Sequence, residues 1–291
     1  MIKRLAIIGV GLIGGSLARA LRKHRYVEHV VGCGRGKENL EKAIELDVID
    51  SYTHDPAQAV CDADVVVVAT NLRTIPAIFS AIADQVPAHA LITDVGSAKG
   101  EVIKAAHKNL GEALPRFVPG HPIAGTEHSG VEASFAELYV DHRVILTPID
   151  ENALADVQRI EQMWQVTGAA VKQMPAHLHN EVLAATSHLP HMVAFALVDC
   201  LAGMESSAEI FDFAAGGFRD FTRIASSNPP MWCDIALENK DALLRQLDAF
   251  ELTLSELKRS LQSGDEASML ALFERAKAAR DSIELPSSNA K

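Results

Sequence analysis

The sequence predicts an α/β protein, a doubly wound and mainly parallel sheet followed by an all-helical region. Three observations lead there. A short apolar run, Leu5 to Ile8, ends in Gly9, Gly11 and Gly14, the G-x-G-x-x-G spacing of a Rossmann-type dinucleotide turn. Apolar, partly β-branched runs then alternate with amphipathic segments as far as Lys172. From Pro175 onward the texture becomes Ala- and Leu-rich and helical almost throughout. The expected division is residues 1–174 for a dinucleotide-binding domain and 175–285 for a helical dimerisation and substrate domain. A disordered tail is expected over 286–291.

Taken in order, the first strand feeds a turn in which each glycine has a mechanical use. Gly9 makes the tight exit from the strand, Gly11 lets backbone approach a pyrophosphate, and Gly14 lets the following helix lie close to the sheet. Leu12 and Ile13 open that helix and offer unpaired N–H groups to an anion. A second apolar run, His29 to Cys33, falls where the second strand of a βαβ unit belongs, and a polar helix follows from Glu38 to Leu46. Val65 to Ala69 reads as a central strand buried on both faces. A helix from about Arg73 to Gln85, a strand Ala90 to Thr93 and a helix Lys99 to Leu110 come next. Strands near Arg116–Val118 and Arg143–Thr147, a helix Ala153 to Thr167 and a short strand Ala169–Lys172 complete the sheet.

Beyond Pro175 a single helix should run from Ala176 to Ala202, bent near Pro190. Ala214 to Asn228 reads as a glycine-bearing connection, and Pro229-Pro230 open a long helix. Within it Leu243, Leu247, Phe250, Leu254, Leu257 and Leu261 form a heptad seam. The seam either packs inside its own domain or buries itself against a second subunit; a small domain with such long helices favours a homodimer. Gly264 ends that helix, and a last one covers Glu266 to Ser282.

With 291 residues, 48% hydrophobic and 22% charged, the chain has apolar sequence enough for a core in each of two domains. A net charge of -11 argues against nucleic acid or an anionic membrane surface as partner. The cysteines, Cys33, Cys61, Cys200 and Cys233, show no metal-finger spacing, and Met1 leads straight into the first strand. No apolar stretch reaches the ~20 residues of a membrane span, so a reducing cytoplasm is expected.

The second strand decides the cofactor. Its end reads G-C-G-R-G-K, so Gly34 stands where an acid would hold the ribose 2′-hydroxyl of NAD. Arg35, with Lys37 nearby, can instead bond a 2′-phosphate, which favours NADP; the bland alternative is a solvated loop arginine.

Candidate chemistry gathers at the C-terminal ends of the strands. Thr70 and Asn71 are placed to touch a nicotinamide ribose. Ser97 brings a hydroxyl to a helix start, where it can cap the helix, act in the reaction, or both. His121 sits between prolines and glycines in P-G-H-P-I-A-G-T-E-H-S-G, with Glu127 close behind. His188 and His191 share a helical face near His177 and His179, but no carboxylate or thiolate grouping supports a metal site. The segment G-G-F-R-D-F-T-R-I-A-S-S-N-P-P-M-W supplies Arg219, Asp220, Arg223 and Trp232; its arginines either decorate a surface or bind a carboxylate.

These motifs together, V-G-L-I-G-G-S, D-V-G-S-A-K, H-P-I-A-G-T-E-H-S-G, S-H-L-P-H and G-F-R-D-F-T-R-I-A with P-x-M-W, closely resemble the prephenate and arogenate dehydrogenases of tyrosine biosynthesis. The resemblance covers nearly the whole chain. It implies oxidation of a cyclohexadienol with a 4-hydroxyl and a 1-carboxylate, hydride passing to nicotinamide as CO2 leaves. It implies that His121 takes the hydroxyl proton and that Ser97 orients it. It gives Arg223 a substrate carboxylate, His191 and Glu127 the pocket wall, and Trp232 with Asp220 the pocket mouth, the tryptophan reaching across a dimer in relatives. Gly34 departs from the NAD-using pattern. No regulatory domain or mutase segment is expected, and NADP use leans the reading toward arogenate. A β-hydroxyacid or imine reductase and an NADP-binding redox sensor without turnover are the competing readings.

Overall fold

The computed structural model describes residues 1–126 and 128–283, so Glu127 and the expected 286–291 tail lie outside the described residues. By its contacts the chain divides into two compact units, Met1–Lys240 and Asp241–Lys291.

The first unit begins as a βαβ fold. Strand β1 (Ile2–Ile8) leads through the glycine turn into α1 (Leu12–Lys23), then β2 (Val27–Cys33) and α2 (Lys37–Glu45). A short β3 (Ser51–Thr53) precedes α3 (Pro56–Val60), which Asp55 caps by accepting the Ala57 N–H at 2.9 Å. Then follow β4 (Val65–Val68), α4 (Ile75–Ile82), β5 (Leu91–Asp94), α5 (Gly100–Asn109) and β6 (Phe117–Val118). These six strands form one sheet in the order β3-β2-β1-β4-β5-β6, every pairing parallel.

Successive strand residues point to opposite faces, and the core follows that alternation. Leu5, Ile7, Val65 and Val67 pack with Leu17 and Leu21 of α1 on one face. Ala6, Ile8, Val66 and Val68 pack with Phe79 and Ile82 of α4 and Val102 of α5 on the other. Sandwiching between helix layers explains why the Val65–Val68 run carries no polar residue.

Three later strands depart from the expected single sheet. β7 (Gly120–Ile123), β8 (Arg143–Leu146) and β9 (Ala170–Gln173), with α6 (Leu154–Val166) between the last two, build a separate sheet in the order β7-β8-β9. β7 runs antiparallel to β8, and β8 parallel to β9. Gly120–Ile123, the proline- and glycine-flanked stretch around His121, is therefore a strand. Its Pro122 is tolerated because β7 lies at the edge of that sheet, where one side of the ladder needs no donor.

Beyond β9 the unit is helical. α7 (Ala176–Leu183), a π-helical turn Ala184–His188 and α8 (Leu189–Ala202) make one continuous run. The wide turn directly precedes Pro190, whose missing N–H cannot close a regular bond to the preceding turn, so the expected bend appears as a π-bulge. This 27-residue run, with a window of mean hydropathy 1.3, is long and apolar enough to cross a membrane by length and composition. That corrects the expectation that no such stretch exists. Only 22% of its apolar window is buried in the single chain, so the helix has a face to cover.

α9 (Ser207–Asp212) and α10 (Gly216–Thr222) follow, then a 3-10 turn Arg223–Ser226 and α11 (Pro229–Glu238). The segment 214–228 is thus largely helical, not an open connection: its two glycines fall in the first turn of α10, where they cost least. The long helix expected from Pro229 breaks at Asn239 (φ -120, ψ 30), whose side chain bonds elsewhere.

The second unit contains most of α12 (Lys240–Ser263) and all of α13 (Glu266–Ser282). Gly264 (φ +68) makes the turn, and Asp265 caps α13 by accepting the Ser268 N–H at 3.0 Å. Along the seam Phe250, Leu254 and Leu261 are exposed.

Candidate active site

The strand order reverses between β1 and β4, and the crevice at their C-terminal ends is where such sheets bind ligands. Gly9 has φ +104, and a Cβ there would lie 2.3 Å from the Ala69 carbonyl oxygen. At Gly14 a Cβ would meet the Gly9 carbonyl oxygen at 2.4 Å and Ile7 Cγ2 at 2.8 Å, so α1 sits against the strand only because no side chain intervenes. Gly11 caps α1 without a side-chain bond and has open space where a Cβ would project. Leu12 is buried and Ile13 half-buried, its carbonyl accepting the Tyr139 hydroxyl at 2.5 Å.

Past β4, the Thr70 hydroxyl oxygen is buried with no hydrogen-bond partner among the described residues, while the Asn71 carbonyl accepts the Thr74 hydroxyl at 2.7 Å. At the end of β2 the Gly34 carbonyl accepts the His54 Nδ1–H at 2.7 Å. Arg35 is exposed, and Lys37 pairs with Glu41 at 3.5 Å.

A buried ion pair joins the two sheets. Lys99, fully buried, pairs with Asp94 at the end of β5 and donates from Nζ to the Gly120 carbonyl at 2.7 Å. The other Asp94 oxygen accepts the Gly120 N–H at 3.2 Å. Both backbone groups of the residue before His121 are therefore clamped to the loop that carries Ser97. Lys99 closes the D-V-G-S-A-K motif, but nothing in the sequence marks it as buried; a lysine at the start of an expected helix looks solvated. Here burial lowers its pKa and Asp94 opposes the shift.

His121, 8% exposed, points from β7 to His179, with Nδ1 and Nε2 respectively 2.9 Å apart. His179 Nδ1 lies 3.1 Å from Asn180 Oδ1, which also accepts the Lys99 N–H at 2.9 Å. The Asn180 carbonyl accepts from Asn239 Nδ2 at 2.9 Å, and the same amide nitrogen lies 3.1 Å from His188 Nδ1. An amide donor there makes His188 Nδ1 the acceptor and puts its proton on Nε2, a buried atom with no partner among the described residues. His188 meets Trp232 edge-on, ring centroids 6.1 Å apart, and His191 stacks on the same indole at 3.5 Å. Arg223, exposed at the start of its 3-10 turn, is near enough to depress His191. A continuous path of contacts thus runs from His121 through His179, Asn180, Asn239 and His188 to Trp232 and His191, and Arg223 acts on His191 electrostatically.

Burial keeps these imidazoles neutral. His121 is held well below its ordinary value by burial first, then by His179, Lys99 and His188. Burial takes His179 down to about 3, with Lys99 adding to the effect, and His188 to about 4, with His191 adding. His191 is lowered by burial against its bond to the Ser187 carbonyl.

Other candidates lie differently from expectation. Ser97 is half-buried in the loop before α5 but does not cap it, because the helix starts at Gly100 and Lys99 takes the cap position. Trp232 is buried in its own chain against His191 and His188, its Nε1 without a partner among the described residues. Asp220 and Arg219 are exposed on α10, and Glu127 lies outside the described residues. His177 is exposed, and among the described residues no group of three or more His, Cys, Asp or Glu side chains could hold a metal ion. His179, Asn180 and Asn239 were not legible as a group. His179 reads in the sequence only as a neighbour of the His188 and His191 pair, and nothing local links residue 180 to residue 239.

A glycine turn at a sheet reversal, with a buried imidazole on the adjoining sheet, has the build of a dinucleotide-binding dehydrogenase. Two family models match nearly end to end: "Prephenate dehydrogenase, nucleotide-binding domain" over residues 17–173 and "Prephenate dehydrogenase, dimerization domain" over 175–275. A cyclohexadienyl dehydrogenase of Zymomonas mobilis is 39% identical over 96% of this chain and 95% of its own. The crystal structure of Aquifex aeolicus prephenate dehydrogenase with hydroxyphenyl propionate and NAD+ superposes with a TM-score of 0.90 at 36% identity, covering 98% of this chain and 99% of that one. Synechocystis arogenate dehydrogenase gives a TM-score of 0.79 at 26% identity, over 96% and 99%. The chain belongs to the prephenate dehydrogenase family.

Proposed function

We propose that the protein oxidatively decarboxylates arogenate, prephenate or both, giving tyrosine or 4-hydroxyphenylpyruvate, with NADP as the preferred hydride acceptor and a slight lean to arogenate. The observation that carries this reading is the neutral imidazole of His121, clamped beside the Ser97 loop at the head of a chain of contacts that ends at His191, whose pKa Arg223 depresses. The residues of the crevice fit a dinucleotide: Gly9, Gly11 and Gly14 leave backbone open for a pyrophosphate, and the orphaned Thr70 hydroxyl suits a ribose. When bound, the nicotinamide supplies the hydride acceptor. His121 accepts the proton of the substrate 4-hydroxyl, and Ser97 orients that hydroxyl. Arg223 binds a carboxylate, and His191 stacked on Trp232 forms pocket wall. Departure of CO2 with gain of aromaticity drives the reaction, so these side chains chiefly position it.

For NADP, the support is the missing carboxylate at Gly34 and the exposed Arg35 beside it. A prephenate-specific, NAD-dependent activity is the second reading, favoured by the name and the NAD+ of the Aquifex structure. Initial rates of reduced-nicotinamide formation with both substrates and both cofactors separate the two. Replacing His121→Asn should leave substrate affinity nearly intact and lower kcat by roughly 100-fold or more; unchanged turnover removes the base assignment.

The functional division at 174/175 and a homodimer belong to the same proposal. The exposed face of the 176–202 helix, the open seam of α12 and the family's dimerization domain support the dimer. Sedimentation should give a mass near twice 31.3 kDa at micromolar concentration, and a monomer there removes it. Free cysteines at all four positions suit a reducing cytoplasm.

A further inference from the structure

The geometry points to His179 and Asn180 as positioning residues that fix the tautomer of His121, leaving its Nε2 as the bare, proton-accepting nitrogen. This rests on the base assignment above and goes beyond it by saying which nitrogen acts and what sets it.

The Lys99 backbone N–H is a donor whose hydrogen cannot move. It points at the Asn180 side chain at 2.9 Å, so the atom it meets is the amide oxygen. An oxygen cannot donate, so His179 Nδ1, 3.1 Å away, carries the hydrogen of that contact. His179 is neutral, and a neutral imidazole with its proton on Nδ1 presents a lone pair at Nε2. That lone pair faces His121 Nδ1 at 2.9 Å, so His121 donates from Nδ1. Since His121 is also neutral, its Nε2 is left without a proton.

Each step admits one arrangement, and the chain is anchored at both ends. Asn180 follows His179 on α7, while the Lys99 side chain clamps Gly120 directly before His121. The opposite tautomer of His121 would set two lone pairs face to face between the rings, or force His179 to turn its own lone pair toward the Asn180 oxygen. Either loses a buried hydrogen bond. When His121 takes a proton at Nε2, its Nδ1–H bond to His179 becomes charge-assisted and strengthens as charge develops. The relay therefore uses a neutral imidazole and an amide where a carboxylate orients the histidine of a serine-hydrolase triad.

The test reads the tautomer directly. Selective 15N-histidine labelling of the full-length protein, with His121 assigned by its loss in His121→Asn, should show a protonated Nδ1 and a bare Nε2 at pH 7. A protonated Nε2 overturns the proposal, and this measurement needs no further variant to fold. In kinetics, His179→Leu should cut kcat roughly 10- to 100-fold with KM changed far less. His179→Gln, whose amide oxygen can accept the same hydrogen, should recover most of that loss. Equal loss in both variants, or no loss in His179→Leu, overturns it. If the wild-type protein oxidises neither prephenate nor arogenate, the dehydrogenase reading of the site fails, while the 15N spectrum still decides the tautomer.

Discussion

Arg35 and Lys99 show how differently two cations can be read from sequence. Arg35 announces itself, because it stands beside a position where an acid is missing and the structure leaves it exposed at the strand end. Arg35→Ala should weaken NADP binding by roughly 10-fold or more, a charge-assisted bond contributing about 1.5–3 kcal/mol, and leave NAD nearly unchanged. Titrating both cofactors by fluorescence decides it, and equal weakening removes the NADP assignment. Lys99 gives no such signal. Its meaning depends on Asp94 and Gly120, a contact 21 residues away in sequence that exists only once the two sheets meet. Glycines, prolines and catalytic residue types can be seen in a sequence; partners brought together by folding cannot. His121 was visible for that reason, and the Asn180 and Asn239 side chains that organise its surroundings were not.

At the scale of elements, β1, α1, β2 and β4 were readable because their hydrophobic periods match their final environment. The failures share one cause. β7, the bulge before Pro190, the helix inside 214–228 and the break at Asn239 all place proline, glycine or asparagine where tertiary contacts override local preference. The contact between α1 and β1 gives a sharp check. Adding one methyl group at Gly14 brings a carbon to 2.4 Å from a backbone oxygen that a flexible side chain cannot vacate. Gly14→Ala should therefore push the helix start off the strand, cost about 1–3 kcal/mol of stability and weaken both cofactors together. Thermal melts with and without dinucleotide measure both effects. An unchanged melting temperature with unchanged affinity would mean that α1 and β1 have room to separate.

For the molecule as a whole, three buried imidazoles tie stability to acidity. His121, His179 and His188 are all depressed below the free value of 6.5, the last two to about 3 and about 4. In the unfolded chain they take up protons near pH 6.5, whereas in the folded chain they resist, so the unfolded state binds more protons as pH falls. Their stabilising contribution is complete above about pH 6.5 and declines as pH drops below it, by about 1.4 kcal/mol per pH unit for each histidine. Urea unfolding between pH 7.5 and 5 should show the midpoint falling most steeply below 6.5. A flat profile would mean the rings are hydrated and charged in the folded state. The acid limb of kcat/KM should also lie below that of a free imidazole.

The clamp from Asp94 and Lys99 to Gly120 has a consequence for how such a catalyst can diversify. The strands that line the glycine-turn crevice and the strand that bears His121 are bolted together, while Arg223, proposed to bind the substrate carboxylate, comes from a helical segment far along the chain. Under the proposed roles, changes among residues 205–226 retune which substrate side chain is welcomed without disturbing His121 or the glycine turn. Preference for an amino acid or a keto acid can drift while the reaction itself stays fixed.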